Sequence, residues 1–202
     1  MNFFFLTRCY RPDNIPRIQQ NLKEVFAGSA HEYSHCVVVD LTHGAKPHDF
    51  NELCNRNTDV LFICQKPAND SQNTFGMDEA VGQFAEAGSY VFVLDDDNLL
   101  HPRFLEICEE CGGEDAVVFK IEGRPELGNP FSLSGRNNPV GHVDWANFIT
   151  RAEVMKRLKV TYDFNPPRCE DGVFFSKLMS AGCSIKFVDK VLAYYNRLRS
   201  VV

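Results

Sequence analysis

The chain has 202 residues, of which 44% are apolar and 24% charged, with a formal net charge of -6. That length supports one sizeable buried α/β core, and the acidic balance, with no Lys/Arg-rich stripe, excludes a protein built to neutralise a nucleic-acid backbone. The longest apolar runs are too short for a membrane span or a signal-peptide core, and the eight cysteines are scattered through core-forming segments, so a reduced, soluble, cytoplasmic domain without a transmembrane segment is expected.

In chain order, Asn2–Leu6 reads as a buried strand ending at Thr7-Arg8. Asp13 or Asn14 is placed to cap the next helix, with Pro16 in its first turn and Ile15, Ile18, Leu22, Val25 and Phe26 forming its apolar stripe. Cys36–Asp40 and Val60–Cys64 are predicted as the second and third strands. A helix over Gly76–Ala87 turns Met77, Val81 and Phe84 inward and is ended by Gly88.

Tyr90–Leu94 is the fourth strand and runs directly into Asp95-Asp96-Asp97. Pro102–Cys111 reads as helical, and Cys108 and Cys111 then share one face, which favours packing over metal binding. Ala116–Ile121 is a fifth strand, followed by the aperiodic Glu122–Gly141 with four glycines and three prolines. Strand character resumes over Val143–Ile149, Thr150 to Glu153 has the form of a capping box for a helix ending at Leu158, and Asp171–Ala181 is another helix. Ser184–Val188 and Val191–Tyr195 close the pattern. The final Ser200-Val201-Val202 carries no stop signal, which leaves the chain open to being one domain of a longer polypeptide.

Strands alternating with helices predict a mainly parallel sheet covered on both faces, with ligands beyond the carboxyl ends of the strands. The strongest chemical signal lies there. Three consecutive carboxylates after a buried strand repel one another unless a cation is present, and oxygen donors suit hard divalent ions. On an extended segment Asp95 and Asp97 point the same way while Asp96 points elsewhere. An EF-hand loop also begins with such a pattern, but Leu99 and Leu100 fall where an oxygen ligand and a glycine are required. A second signal, Cys169-Glu170-Asp171-Gly172, puts carboxylates at a helix start, where one of them caps the helix or serves as a general base. The third is Thr7-Arg8-Cys9-Tyr10-Arg11-Pro12, a turn carrying a hydroxyl, two guanidinium groups and a phenol.

The succession of these segments resembles the GT-A glycosyltransferases, family-2-like members above all. It comprises Thr7-Arg8 to Arg11-Pro12, a strand ending at Asp40, Gly76 to Asp78 leading a helix, Asp95-Asp96-Asp97, Glu170-Asp171-Gly172, and Tyr194-Tyr195-Asn196-Arg197. The resemblance implies a single Rossmann-like α/β domain with a mainly parallel mixed sheet, its nucleotide-binding half over about residues 1–98 and its acceptor half over about 99–202. It implies that Thr7, Arg8, Tyr10, Arg11 and Asp40 line the pocket of a nucleotide-sugar, usually a UDP-sugar, and that Gly76 and Asp78 approach its base or ribose. Asp95 and Asp96 would contact ribose or diphosphate, and Asp97 with Asp95 would ligate Mn²⁺ or Mg²⁺. Asp171 would take a proton from the hydroxyl of a glycan or other acceptor, and Arg197 would steady the diphosphate. His142, Asp144, Trp145 and Glu170 are the expected sugar or acceptor contacts.

Two other readings share these residues. In a phosphohydrolase of the haloacid-dehalogenase type, Asp95 would be the nucleophile, Asp97 the acid/base and Lys120 the phosphate-binding lysine. The Gly-Thr expected after the second Asp of that motif is replaced by Asn98-Leu99. The other is a non-catalytic GT-A-like domain that only binds nucleotide-sugars or glycans.

Overall fold

The computed structural model describes residues 1–39, 60–64, 76–124, 143–160 and 170–199, with backbone alone for 60–64. Their strands are β1 (Asn2–Cys9), β2 (Glu32–Val39), β3 (Val60–Cys64), β4 (Tyr90–Val93), β5 (Leu99–Leu100), β6 (Ala116–Glu122), β7 (Phe148–Arg151) and β8 (Ile185–Tyr194). The helices are α1 (Ile15–Phe26), α2 (Met77–Phe84), α3 (Ile107–Glu110), α4 (Ala152–Leu158) and α5 (Glu170–Ser180).

All eight strands join one sheet in the order β3-β2-β1-β4-β7-β6-β8-β5. The pairings run β1, β2, β3, β4, β6 and β8 one way and β7 and β5 the other, which gives the expected mainly parallel mixed sheet. Successive side chains of a strand face opposite sides, and the phenylalanine-rich β1 uses this to feed two cores. Phe3 and Phe5 pack with Ile15, Ile18, Leu22, Phe92, Phe104 and Phe119 beneath α1 and α3. Phe4 and Leu6 pack with Met77, Val81, Phe148, Phe174 and Phe175 beneath α2, α4 and α5.

Several expectations are revised. The β2 strand begins at Glu32, ahead of the apolar run, because its first residues lie at an exposed end where polar side chains are tolerated. Thr150 lies inside β7 opposite Val91 and opens no capping box; Arg151 takes the N-cap position of α4, and Glu153 accepts from Gly88 N–H at 3.3 Å. The two predicted closing strands are one strand, β8, whose register against β6 slips between Val118 and Ile121 and so absorbs the charged Asp189-Lys190. Cys108 and Cys111 pack against the α1-side core, as their shared face suggests. No helix among the described residues is long and apolar enough to cross a membrane.

Candidate functional site

Strands β1 and β4 run parallel, with Leu6 opposite Val93 at the end of their ladder. One hydrogen bond beyond it, Leu94 N–H to Leu6 O at 2.9 Å, leads to Asp95, which faces Arg8. The Arg8 guanidinium donates through Nε to Asp95 Oδ1 and through Nη2 to Asp95 Oδ2, both at 2.6 Å. These side chains are only 13% and 21% exposed. Burial alone would lower the Arg8 guanidinium's pKa, but the adjoining Asp95 charge outweighs it and the net direction is upward. Arg8 therefore keeps its charge and engages both Asp95 oxygens.

Asp96 points the other way and is buried, at 1% exposure. Tyr10 N–H donates to its Oδ2 at 2.5 Å, Arg11 N–H reaches the same oxygen, and Arg11 Nη1 donates to its Oδ1 at 2.7 Å. A carboxylate gathering two backbone amides in this way fixes the β1-to-α1 turn. Asp96 is thus a support for the loop that carries Tyr10 and Arg11, a different placement from the expected ribose or diphosphate contact.

Asp97 has weaker compensation. Its carboxylate meets Arg11 Nη1 at 3.4 Å. Burial, followed by the charges of Asp95 and Asp96, pushes its pKa up to about 6, against the opposing pull of Arg11 and Arg199. The extended geometry assumed for the triplet is not what forms: residues 96 and 97 lie in a turn, Asp96 and Asp97 share the Arg11 guanidinium, and Asp95 pairs with Arg8.

Two further carboxylates complete the cluster. The antiparallel β4–β7 pairing brings the segment before β7 beside the end of β4, and Asp144 caps the turn Trp145–Asn147 by accepting from Ala146 N–H at 2.8 Å. Burial and the nearby Asp95 and Asp171 charges push Asp144 up to about 7. Asp171 lies in the first turn of α5 and accepts from Gly172 N–H at 2.7 Å. Burial raises it to about 6, with the Gly172 amide and Arg8 pulling the other way. The phenol of Tyr195, just beyond β8, is pushed upward by burial and then by Asp144, Asp95, Asp97 and Asp171. Four carboxylates, a guanidinium and a phenol thus share one electrostatic neighbourhood at the carboxyl edge of the sheet.

Other expected site residues are placed elsewhere. Thr7 is on the opposite face of β1 from Arg8, fully buried, its Oγ1 sharing a 2.9 Å hydrogen bond with His35 Nε2. Asp78 Oδ1 accepts from Val160 N–H at 2.7 Å, which ties the start of α2 to the end of α4. Gly76, with φ at 82°, occupies the N-cap position of α2 in a conformation that suits glycine. Trp145 is 3% exposed and packs against Phe148 and Phe174, so it is a core residue and offers no open ring face to a sugar. Glu170 is buried at the start of α5. Arg197 is exposed, with its guanidinium 5.2 Å from the centre of the Tyr194 ring. Asp40 and His142 lie outside the described residues.

The sequence reading gave no role to Tyr195, Asn98 or Arg199. Their signal was positional: Asn98 follows the acidic triplet directly, and the other two follow the last strand. The phosphohydrolase reading is corrected by the same geometry. Its nucleophile would be held bidentately by Arg8, and Lys120 pairs with Asp189 across the β6–β8 register slip.

No protein-family model and no curated protein matches the chain. Solved structures do. S. aureus TarS residues 1–349 in complex with UDP superposes with a TM-score of 0.71 at 16% identity, covering 96% of this chain and 60% of that one. The mannosyltransferase PcManGT from Pyrobaculum calidifontis, solved with GDP-Man and Mn²⁺, gives 0.67 at 14% identity, covering 96% and 56%. The galactosyltransferase LgtC, solved with donor and acceptor sugar analogues, gives 0.54 at 11% identity, covering 93% and 73%. The chain therefore has the GT-A glycosyltransferase fold. It spans about 60% of the TarS fragment's length.

Proposed function

We propose that this GT-A chain is a metal-dependent glycosyltransferase, moving a sugar from a nucleoside-diphosphate donor, a UDP-sugar, to a hydroxyl acceptor on a glycan. The observation that carries the reading is the convergence of Asp95, Asp97, Asp144 and Asp171 at the carboxyl edge of the sheet. Support comes from solved proteins of the same fold in complex with UDP, with UDP-GlcNAc, and with GDP-Man and Mn²⁺.

The donor set fits a hard divalent cation. Asp97 is a buried carboxylate raised by its neighbours, which is the electrostatic signature of a position that favours a cation. Among the described residues no three His, Cys, Asp or Glu side chains close around one point. Mg²⁺-like ions are held by one or two carboxylates with water and substrate phosphate supplying the rest, so this reading needs few protein ligands. Asp97 is the ligand in this reading; Asp95, expected as a second one, is given over to Arg8. A cation held at Asp97 would supply Lewis-acid chemistry toward the donor's diphosphate and offset the charge that builds there.

The chain's own residues divide the remaining work. Arg11, its side chain 43% exposed and anchored at Asp96, is placed to meet the diphosphate, and Tyr10 stands beside it for the nucleoside. Asp171 accepts the acceptor hydroxyl's proton, the acceptor oxygen bonds to the anomeric carbon, and the nucleoside diphosphate leaves with the electron pair of the broken C–O bond. A base near pH 6 is largely ionised at neutral pH yet close enough to it for proton transfer. Asp144 and Tyr195 are the sugar-hydroxyl contacts. Residues 1–98 thus serve the donor and 99–202 the acceptor.

A screen of UDP-, GDP- and dTDP-sugars for Mn²⁺-dependent donor hydrolysis tests the reading. Turnover with one nucleotide class, lost on chelation, is the expected result; no turnover with any of them contradicts it.

A further inference from the structure

The chain that follows the acidic triplet is paired along its length with the end of β8. His101 N–H donates to Leu192 O at 3.0 Å, and Leu100 and Leu99 lie opposite Ala193 and Tyr194. Beyond β5 the pairing continues through a side chain. Asn196 N–H donates to Asn98 Oδ1 at 2.8 Å, and Leu198 N–H donates to the Asp97 carbonyl at 2.8 Å.

Asn98 has no exposed surface, and among the described residues its buried Nδ2 has no hydrogen-bond partner. Among those residues the contact that holds this side chain is the one from Asn196. Asn98 N–H also donates to Asp95 O at 3.0 Å and closes the turn that bears all three carboxylates. On the other side, Asn196 is buried with φ at 55°, a left-handed residue that turns the chain back over the site. Arg199 N–H closes that turn on Asn196 O at 3.2 Å, and Arg124 Nη1 donates to Arg199 O at 2.6 Å. Tyr195 is carried between these anchor points, and its backbone N–H donates to Glu122 O at 2.9 Å.

We propose that Asn98 is a positioning residue: through Asn196 it clamps the turn Tyr195–Arg199 against Asp97, and so sets the direction in which Asp97 offers its carboxylate to a divalent cation. The inference rests on the reading of Asp97 as the metal ligand. A carboxylate that is both buried and crowded by like charges gains by rotating toward water, so a site that keeps it inward needs restraint from elsewhere. Two hydrogen bonds to adjacent residues, 97 and 98, supply that restraint. The chemistry of the side chain follows. An acceptor of this reach is needed, and a carboxylate at 98 would add a fourth negative charge to the turn, whereas a hydroxyl is shorter. Asparagine is the neutral side chain that meets both demands.

The test uses the full chain with Mn²⁺ alone as probe, free Mn²⁺ being read by electron paramagnetic resonance, together with amide hydrogen exchange of the ligand-free protein. Asn98→Ala is expected to bind Mn²⁺ about tenfold or more weakly, the usual effect of losing a partner behind a metal ligand. Exchange at the Asn196 and Leu198 amides should accelerate in parallel. Asn98→Asp keeps the acceptor, so slow exchange at Asn196 and a Mn²⁺ affinity no weaker than wild type are expected. Unchanged Mn²⁺ affinity in Asn98→Ala overturns the clamp, as does an equal loss in both variants. Should Asn98→Ala not fold, Leu198→Pro removes the amide that reaches Asp97, and wild-type Mn²⁺ affinity there overturns the clamp equally. A wild-type chain that binds no Mn²⁺ contradicts the metal reading itself, a result distinct from either.

Discussion

Arg8 and Asp95 face each other one step beyond the last ladder pair of parallel strands β1 and β4, joined by two hydrogen bonds of 2.6 Å. This fork places a fixed positive charge within a group of four carboxylates. It engages Asp95, while Asp97, Asp144 and Asp171 keep pKa values raised by burial and then by neighbouring carboxylates, Asp95 among them in each case.

Removing one partner of that fork leaves the other charge in a poorly solvated place. Arg8→Met is expected to destabilise the fold by about 2–3 kcal/mol, somewhat below the range for a wholly buried pair because Asp95 retains some exposure. Urea denaturation at pH 7.5 measures it. A loss within about 0.5 kcal/mol, the scale of an ordinary surface substitution, would mean that the fork contributes little.

The raised carboxylates make a signed prediction about pH. In the folded chain Asp97, Asp144 and Asp171 titrate at about 6, 7 and 6, whereas in the unfolded chain Asp titrates near ~3.9. Between those values the folded state holds protons that the unfolded state has released, so their contribution to stability is full below about pH 4 and is lost as pH rises through about 6–7. Asp97→Asn removes one of the three. Its melting temperature should match wild type near pH 4 and exceed it at pH 8, by an amount worth roughly 3 kcal/mol. A gap of the opposite sign at pH 8 would show that Asp97 is stabilised as an anion in the ligand-free protein.

The chemistry assigned to Asp171 separates binding from turnover. Asp171→Asn is expected to lower kcat by about 10²–10⁴-fold, the range for loss of a general base, while the donor's dissociation constant changes less than about threefold. Steady-state transfer assays and nucleotide titration together decide it. Equal losses in both would place Asp171 in donor binding.

Trp145 offers a control on burial. Trp145→Ala should cost about 3–5 kcal/mol of stability through lost packing on Phe148 and Phe174. A stable variant with weakened sugar binding would return Trp145 to the site.

The parts of this architecture that follow from local pattern were legible in the sequence. The runs at β1, β4 and the first half of β6 are apolar because both faces of those strands are buried, and the acidic triplet announces itself by following one of them. The two antiparallel strands were less legible. The β7 strand begins in the middle of an apolar stretch after a short helical turn, and β5 is two leucines whose strand character exists only through β8. Side-chain direction was harder still. Thr7 and Arg8 are neighbours in the chain, yet the pleat sends one to His35 and the other to Asp95. Asp78 and Trp145 have the chemistry of binding residues, but their partners Val160 and Phe174 are distant in sequence, while the guanidinium of Arg197 lies over Tyr194 of its own motif. Tyr195 and Asn98 matter through contacts that close only when β8 returns beside the acidic turn.

The most direct measurement is the thermal shift produced by UDP with Mn²⁺, in wild type and in Asp97→Asn. A ligand at 100 times its dissociation constant stabilises the native state by about 2.7 kcal/mol. A clear upward shift is expected in the wild type with both present, little with either alone, and none in Asp97→Asn. An equal shift in the two proteins, or none with any nucleotide, would contradict it.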